Sequence, residues 1–231
     1  MKILVACEES QAVCKAFRAK GHEAYSCDVI ECSGGHPEWH ILGDCLPLID
    51  GTIEFQTQDR SYHSINGPWD ILIAHPPCTY LTTAANRSFS LKCTQPEKVA
   101  NRWCDRAKAA VFFMRFVASS AKRIAIENPN GFMNTAYRKP DQIIHPYYFA
   151  SSENDSENYF KKRTCLWLFG LKPLERTTNI PPPKPMYICQ GEKSKGKPIG
   201  WCEGMRNIRG GANRTCKGQE QDIPWHSGGD G

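Results

Sequence analysis

The chain has no apolar run approaching the roughly 20 residues that a bilayer-spanning helix needs, so no membrane partner is expected. An export signal is missing too. Met1-Lys2-Ile3-Leu4-Val5-Ala6-Cys7 superficially resembles a lipoprotein processing site, but its apolar stretch is too short and Glu8-Glu9 follow at once. The segment reads instead as a buried first strand. No Cys-x-x-Cys knuckle occurs, and without export the twelve cysteines are expected to be reduced thiols of a cytoplasmic protein. No internal repeat is visible, and no obligatory protein partner is implied. Strong charge of one sign is absent as well. The net charge of +5 permits nucleic-acid contact without requiring it, because a footprint needs clustered rather than total charge.

At 231 residues, 40% of them hydrophobic, there is material for one cored domain with at most a small appendage. Strands are predicted at Lys2–Cys7, Ala24–Val29, Ile41–Asp44, Asp70–Ala74, Arg123–Ile126 and Thr164–Phe169. Ser10 is positioned to cap a helix over Gln11–Lys20, stopped by Gly21. A longer helix is predicted over about Glu97–Ser119, with Val99, Trp103, Ala107, Ala110, Met114 and Val117 at helical spacing. Alternating strands and helices predict an α/β fold, a doubly wound and mostly parallel sheet. Beyond Pro173 the character changes to Pro181-Pro182-Pro183, lysines and Gly210-Gly211. The expected division is a core over 1–172 and an irregular basic tail over 173–231.

Two predicted strands stop on reactive side chains. One leads into Ala74-His75-Pro76-Pro77-Cys78, the other into Glu127-Asn128-Pro129. In open α/β sheets, ligands sit beyond the carboxyl ends of the strands, so a thiol and a carboxyl group stand where chemistry is usually done. Pro76 and Pro77 restrict the backbone before Cys78 and favour an extended approach. A lone cysteine is most often a small buried hydrophobe, whereas an accessible thiolate can act as a nucleophile. Glu127 either orients a loop or, in a partly apolar cleft, delivers a proton near neutrality.

Taken in order, these residues resemble the DNA cytosine-C5 methyltransferase family, particularly its short phage-type relatives, over roughly residues 3–170. Pro76-Pro77-Cys78 resembles the nucleophile motif, and Glu127-Asn128-Pro129 resembles Glu-Asn-Val. Tyr159 to Arg163, followed by Thr164–Gly170, resembles the arginine-bearing strand that helps hold the target base. Gly43-Asp44 resembles the turn that recognises the cofactor adenine. The resemblance implies a Rossmann-like methyltransferase acting on DNA in a bacterial cell or infected host. Its cofactor would be S-adenosylmethionine, held near Glu9, Ser10, Asp28, Asp44 and Pro76, and no metal would be required. It further implies that Cys78 adds to C6 of a flipped cytosine while Glu127 binds N3 and the exocyclic amine. C5 would then accept the methyl group, with Arg163 helping to hold the base.

The chain departs from that pattern in two places. The family's first loop carries Phe-x-Gly-x-Gly, but here Cys7-Glu8-Glu9-Ser10-Gln11 has no glycine, leaving Ser10 and the helix start at Gln11 as donors. Counting back from Gly170 puts Lys161, Arg163 and Cys165 where Gln-x-Arg-x-Arg is usual, so one arginine survives. The stretch from Arg214 to Gly231 lacks a helical period, consistent with truncation. Three other readings remain. Cys189, Cys202, Cys216 and His226 could hold zinc, although their gaps are long; Cys27, Cys32, His36 and His40 are a weaker set. The tail's Lys193, Lys195, Lys197, Arg206, Arg209 and Arg214, with Trp201 and Trp225, suit nucleic-acid binding without catalysis. An amino-group methyltransferase would show Asp/Asn-Pro-Pro-Tyr/Phe rather than Pro-Pro-Cys.

Overall fold

The computed structural model describes residues 1–184 and, beyond them, the backbone of two short paired strands, Tyr187–Ile188 and Pro198–Ile199. The elements in chain order are β1 (Lys2–Ala6), α1 (Ala12–Arg18), β2 (Glu23–Asp28), β3 (His40–Leu42), β4 (Ile53–Gln56), β5 (Tyr62–Ile65) and β6 (Ile71–Ala74). There follow α2 (Pro96–Val117), β7 (Ile124–Pro129), α3 (Met133–Ala136), β8 (Gln142–Ile144) and β9 (Thr164–Phe169). Seven strands form one sheet in the order β3-β2-β1-β6-β7-β9-β8. The first five are parallel, and β9 runs antiparallel to both neighbours. The sheet is therefore mixed but mostly parallel, as expected, and its first five strands follow the Rossmann order of 3-2-1-4-5.

Burial explains why β1 and β6 are almost wholly apolar. Ile3, Leu4, Val5 and Ala6 are completely buried, because both sheet faces are covered. Leu4, Ala6, Leu72 and Ala74 join the face packed by Phe112, Phe113 and Phe116 of α2. Ile3, Val5 and Ile71 point the other way, onto Cys14, Val13 and Phe17 of α1. Phe113 meets Trp167 of β9 edge-on, with ring centroids 5.1 Å apart. One long helix and one short helix thus cover opposite faces.

Several boundaries differ from expectation. α1 begins one residue later and ends two earlier than predicted, and Ser10 does not cap it. The buried stripe of α2 is rotated: Trp103 and Ala107 are exposed, while Val99, Arg106, Phe112, Phe113 and Phe116 are buried. Arg106 sits on the inner face because its guanidinium stacks 3.4 Å from the Phe89 ring centroid and donates to Tyr80 O and Asn86 Oδ1. β7 extends through Glu127 to Pro129, so the carboxyl group belongs to the strand rather than to the turn after it. The hairpin β4–β5 escaped sequence reading, although its alternation is visible afterwards; Phe55 packs edge-on against Tyr25 at 5.0 Å.

Candidate functional site

Between β1 and β6 the chain changes its direction of travel across the sheet, which opens a crevice at their carboxyl ends. Cys78 lies in the loop leaving β6 and is exposed, whereas Pro76 before it is buried. The register Ala74↔Ile126 makes His75 and Glu127 lateral neighbours one step further along β6 and β7. His75 Nδ1 stands 3.6 Å from Glu127 Oε2. The outer atoms of this pair, His75 Nε2 and Glu127 Oε1, are buried without a hydrogen-bond partner. An unpaired buried polar atom costs about 1–3 kcal/mol, so each of these two atoms would gain by meeting a polar partner.

The two loops are stitched together. Asn128, almost fully buried, donates from Nδ2 to Pro76 O at 2.8 Å. The amides of Leu81 and Thr82 both donate to Cys78 O at 2.9 Å, winding the chain into a turn immediately after the thiol. Thr83 N donates to Asn130 O and Phe132 N to Leu81 O, and Thr82 bridges Gly131 in antiparallel fashion. A Cβ on Gly131 would fall on the Leu81 carbonyl, so this close approach requires glycine. The Cys78 loop and the Glu127 strand are therefore one connected unit.

Arg163 is exposed and precedes β9, one residue beyond the Pro129↔Thr164 pair. Because β9 is antiparallel to β7, its first residues arrive at the same edge as Glu127. His145 follows β8 beside that edge, next to the Ile144↔Thr164 pair. Burial, then the charges of Lys161 and Arg163, lowers its pKa, and its Nδ1 has no hydrogen-bond partner. Neither His75 nor His145 received a role from sequence; for His75 the available signal was its place three residues before Cys78.

Of the expected cofactor residues, Glu9, Ser10, Asp28 and Asp44 lie at the ends of β1, β2 and β3, and Pro76 follows β6. Asp28 is buried, with burial pushing its pKa up, and it accepts from Ile30 N at 3.1 Å. Asp44 is exposed and accepts from Leu46 N. Glu9 accepts from the Ser33 hydroxyl, tying the first loop to the loop after β2. Gln11, in a left-handed conformation and fully buried, binds Ser26 and both backbone groups of His36. The helix start is a correction to the sequence reading: Glu8 is buried and its carboxylate accepts from Val13 N at 2.6 Å and Cys14 N at 3.2 Å. The first-turn amides expected to receive a ligand carboxylate are thus occupied by Glu8, while Ser10 Oγ is only 3.5 Å from Ala12 N. These carboxylates are acceptors, which fit the ribose hydroxyls, amino groups and positive charge of S-adenosylmethionine. They do not fit its carboxylate end at α1.

The nine described cysteines form no disulfide. The Cys45 thiol and burial push Cys7 well up, burial pushes Cys27 well up, and Cys14 is raised to about 11, chiefly by burial. These three are interior hydrophobes, in contrast with exposed Cys78. Among the described residues no group of three His, Cys, Asp or Glu side chains could hold a metal, so Cys27, Cys32, His36 and His40 form no such site. Cys189, Cys202, Cys216, His226 and the basic residues of the tail lie outside the described residues. No described helix is long and apolar enough to cross a membrane. A cavity of about 460 Å³ at the other end of the sheet is lined by Lys2, Glu23, Asp70 and Lys122 among others. It borders none of the candidate residues, and we assign the site by geometry at the carboxyl edge. No protein-family model matches the chain, and no curated protein matches it.

Proposed function

We propose that this chain is a DNA cytosine-C5 methyltransferase. The observation that carries the reading is the juxtaposition of an exposed cysteine loop and a strand-borne glutamate, joined through Asn128 and the Leu81–Phe132 pairing, with Glu127 Oε1 left unpartnered. C5 of cytosine is a poor nucleophile, and addition of a thiolate at C6 activates it. Cys78 would form the bond to C6 as the C5=C6 electron pair moves into the ring, and Glu127 would supply the proton taken up at N3. Arg163, at the same rim, would contact the base or its flank, and Pro76 would hold the loop's approach. Asp28, Asp44, Glu9 and Ser10 would line the adenosine and ammonium side of the cofactor. S-adenosylmethionine, when bound, supplies the electrophilic methyl group for C5. Transfer of the C5 proton to water, return of the N3 proton to Glu127 and breakage of the Cys78–C6 bond then restore the aromatic ring, the carboxyl group and the thiolate.

Incubation with 5-fluorocytosine DNA and S-adenosylmethionine tests this directly, because fluorine at C5 blocks the final elimination. A stable protein–DNA adduct is expected with the native chain and not with Cys78→Ser. Nucleoside analysis yielding 5-methylcytosine without any adduct would refute the covalent route, and N4-methylcytosine or N6-methyladenine would select an amino-methyltransferase. One observation favours a second reading. Glu8 fills the amides at the start of α1, as suits a nucleic-acid-binding chain that uses no cofactor. Calorimetry showing no heat with S-adenosylmethionine or its demethylated product at millimolar concentration would select that reading.

A further inference from the structure

We propose that His75 is the positioning residue of Glu127: its Nδ1–H holds Oε2, so that Oε1 is aimed at the pyrimidine ring. The inference rests on the methyl-transfer reading and extends it to a residue that the sequence comparison left without a role. Three observations support it. The two side chains leave adjacent parallel strands one step beyond the Ala74↔Ile126 pair, so the backbone already sets them side by side. Nδ1 and Oε2 face each other at 3.6 Å, within ion-pair reach and slightly longer than a hydrogen bond. Catalytic hydrogen bonds are often long before substrate arrives and tighten in the complex. Finally, the atom of each group facing away from this contact is buried and unpartnered.

A carboxylate has two oxygens, and free rotation would present either one to the ring. Fixing Oε2 removes that freedom and leaves a single oxygen, Oε1, to deliver the carboxyl proton to N3. The backbone carrying this arrangement is itself held: Pro76, next to His75, accepts from Asn128, next to Glu127. His75 N also donates to Ala6 O at 3.0 Å, tying the residue to the end of β1. The His75 backbone is therefore tied at the ends of neighbouring strands, a better mount for orienting a neighbour than a free loop provides.

The test is a double-mutant cycle on methyl transfer to DNA, with kcat and KM measured for the native chain, His75→Ala, Glu127→Gln and the double variant. His75→Ala is expected to lower kcat by roughly 10- to 100-fold, below the 10²–10⁴-fold associated with a general acid itself, with KM for DNA little changed. In the Glu127→Gln background the same change should cost less than about 3-fold, because a residue acting through Glu127 has nothing left to act upon. His75→Asn, whose amide replaces Nδ1–H, should recover most of the turnover, and His75→Gln, whose amide reaches the Nε2 position, should not. If His75→Ala fails to fold, the Asn and Gln variants alone decide. Equal losses in both backgrounds, unchanged kcat in His75→Ala, or rescue by Gln instead of Asn would each overturn the role of His75. A native chain that makes no 5-methylcytosine overturns the methyl-transfer reading instead, so the two failures are distinguishable.

Discussion

Replacing Asn128 with alanine would cut the main polar tie between the Cys78 loop and the Glu127 strand. Asn128 is 1% exposed and donates to Pro76 O at 2.8 Å inside the protein. Its loss would remove a hydrogen bond worth about 0.5–1.5 kcal/mol net and leave a buried carbonyl, for which the penalty is about 1–3 kcal/mol. Those figures overlap, because both describe one broken contact, and an expected loss of about 2 kcal/mol follows. At about 2–4 °C per kcal/mol for a chain of this size, the melting temperature should fall by roughly 4–8 °C. Urea titration of the native chain and Asn128→Ala at neutral pH, with thermal melts alongside, provides the measurement. Asn128→Asp should be at least as damaging, since it keeps the shape but sets an acceptor against an acceptor. A stability within about 0.5 kcal/mol of native for Asn128→Ala would refute the claim that this bond locks the two loops.

Gly131→Ala should lower both stability and adduct formation with 5-fluorocytosine DNA, because its Cβ meets the Leu81 carbonyl; native-like trapping would contradict the close approach. Glu8→Ala should cost about 1–2 kcal/mol through the uncapped amides of Val13 and Cys14, measured by urea unfolding. Burial lowers the pKa of His40, whose ring nitrogens meet Ser26 Oγ and Ile30 O at 2.9 Å. The unfolded chain therefore takes up this proton first as pH falls. The stability linked to His40 is complete above about pH 6.5 and lost as pH drops from there through the lowered folded value. His40→Asn should flatten that part of the urea-midpoint profile, and an unchanged slope would argue against it. Phe113→Ala should cost about 3–5 kcal/mol by the same assay, because the fully buried ring fills the space between α2 and β9.

Strands buried on both faces were legible because burial leaves a continuous apolar record: β1, β6 and β9 all carry one. That same record brought Cys78 and Glu127 to one edge before any contact was known. What stayed hidden depends on partners distant in sequence. Glu8 looks like a solvent-facing charge after a strand, and only the fold turns its carboxylate onto the next helix. The buried stripe of α2 was misread because an arginine, Arg106, belongs to it by virtue of Phe89 and Tyr80 in another loop. The pairing of Leu81 with Phe132 uses backbone amides and carbonyls, which no side-chain pattern reports. His75 stands inside the Ala74–Cys78 motif, but its contact across the strands appears only once the register is known.

The reversed direction of β9 has a consequence for how such a scaffold can diversify. Residues 145–163 leave the sheet at the Ile144↔Thr164 pair and return to it there, forming a closed excursion anchored at a single rung. Doubling the length of such a loop costs only about 0.6 kcal/mol in closure entropy. The excursion ends at Arg163, on the same edge of the sheet to which β6 and β7 bring Cys78 and Glu127. Insertions or exchanges within it would leave every rung of the ladder bearing Glu127 in register. The loop can thereby drift in length and composition while the ladder stays fixed.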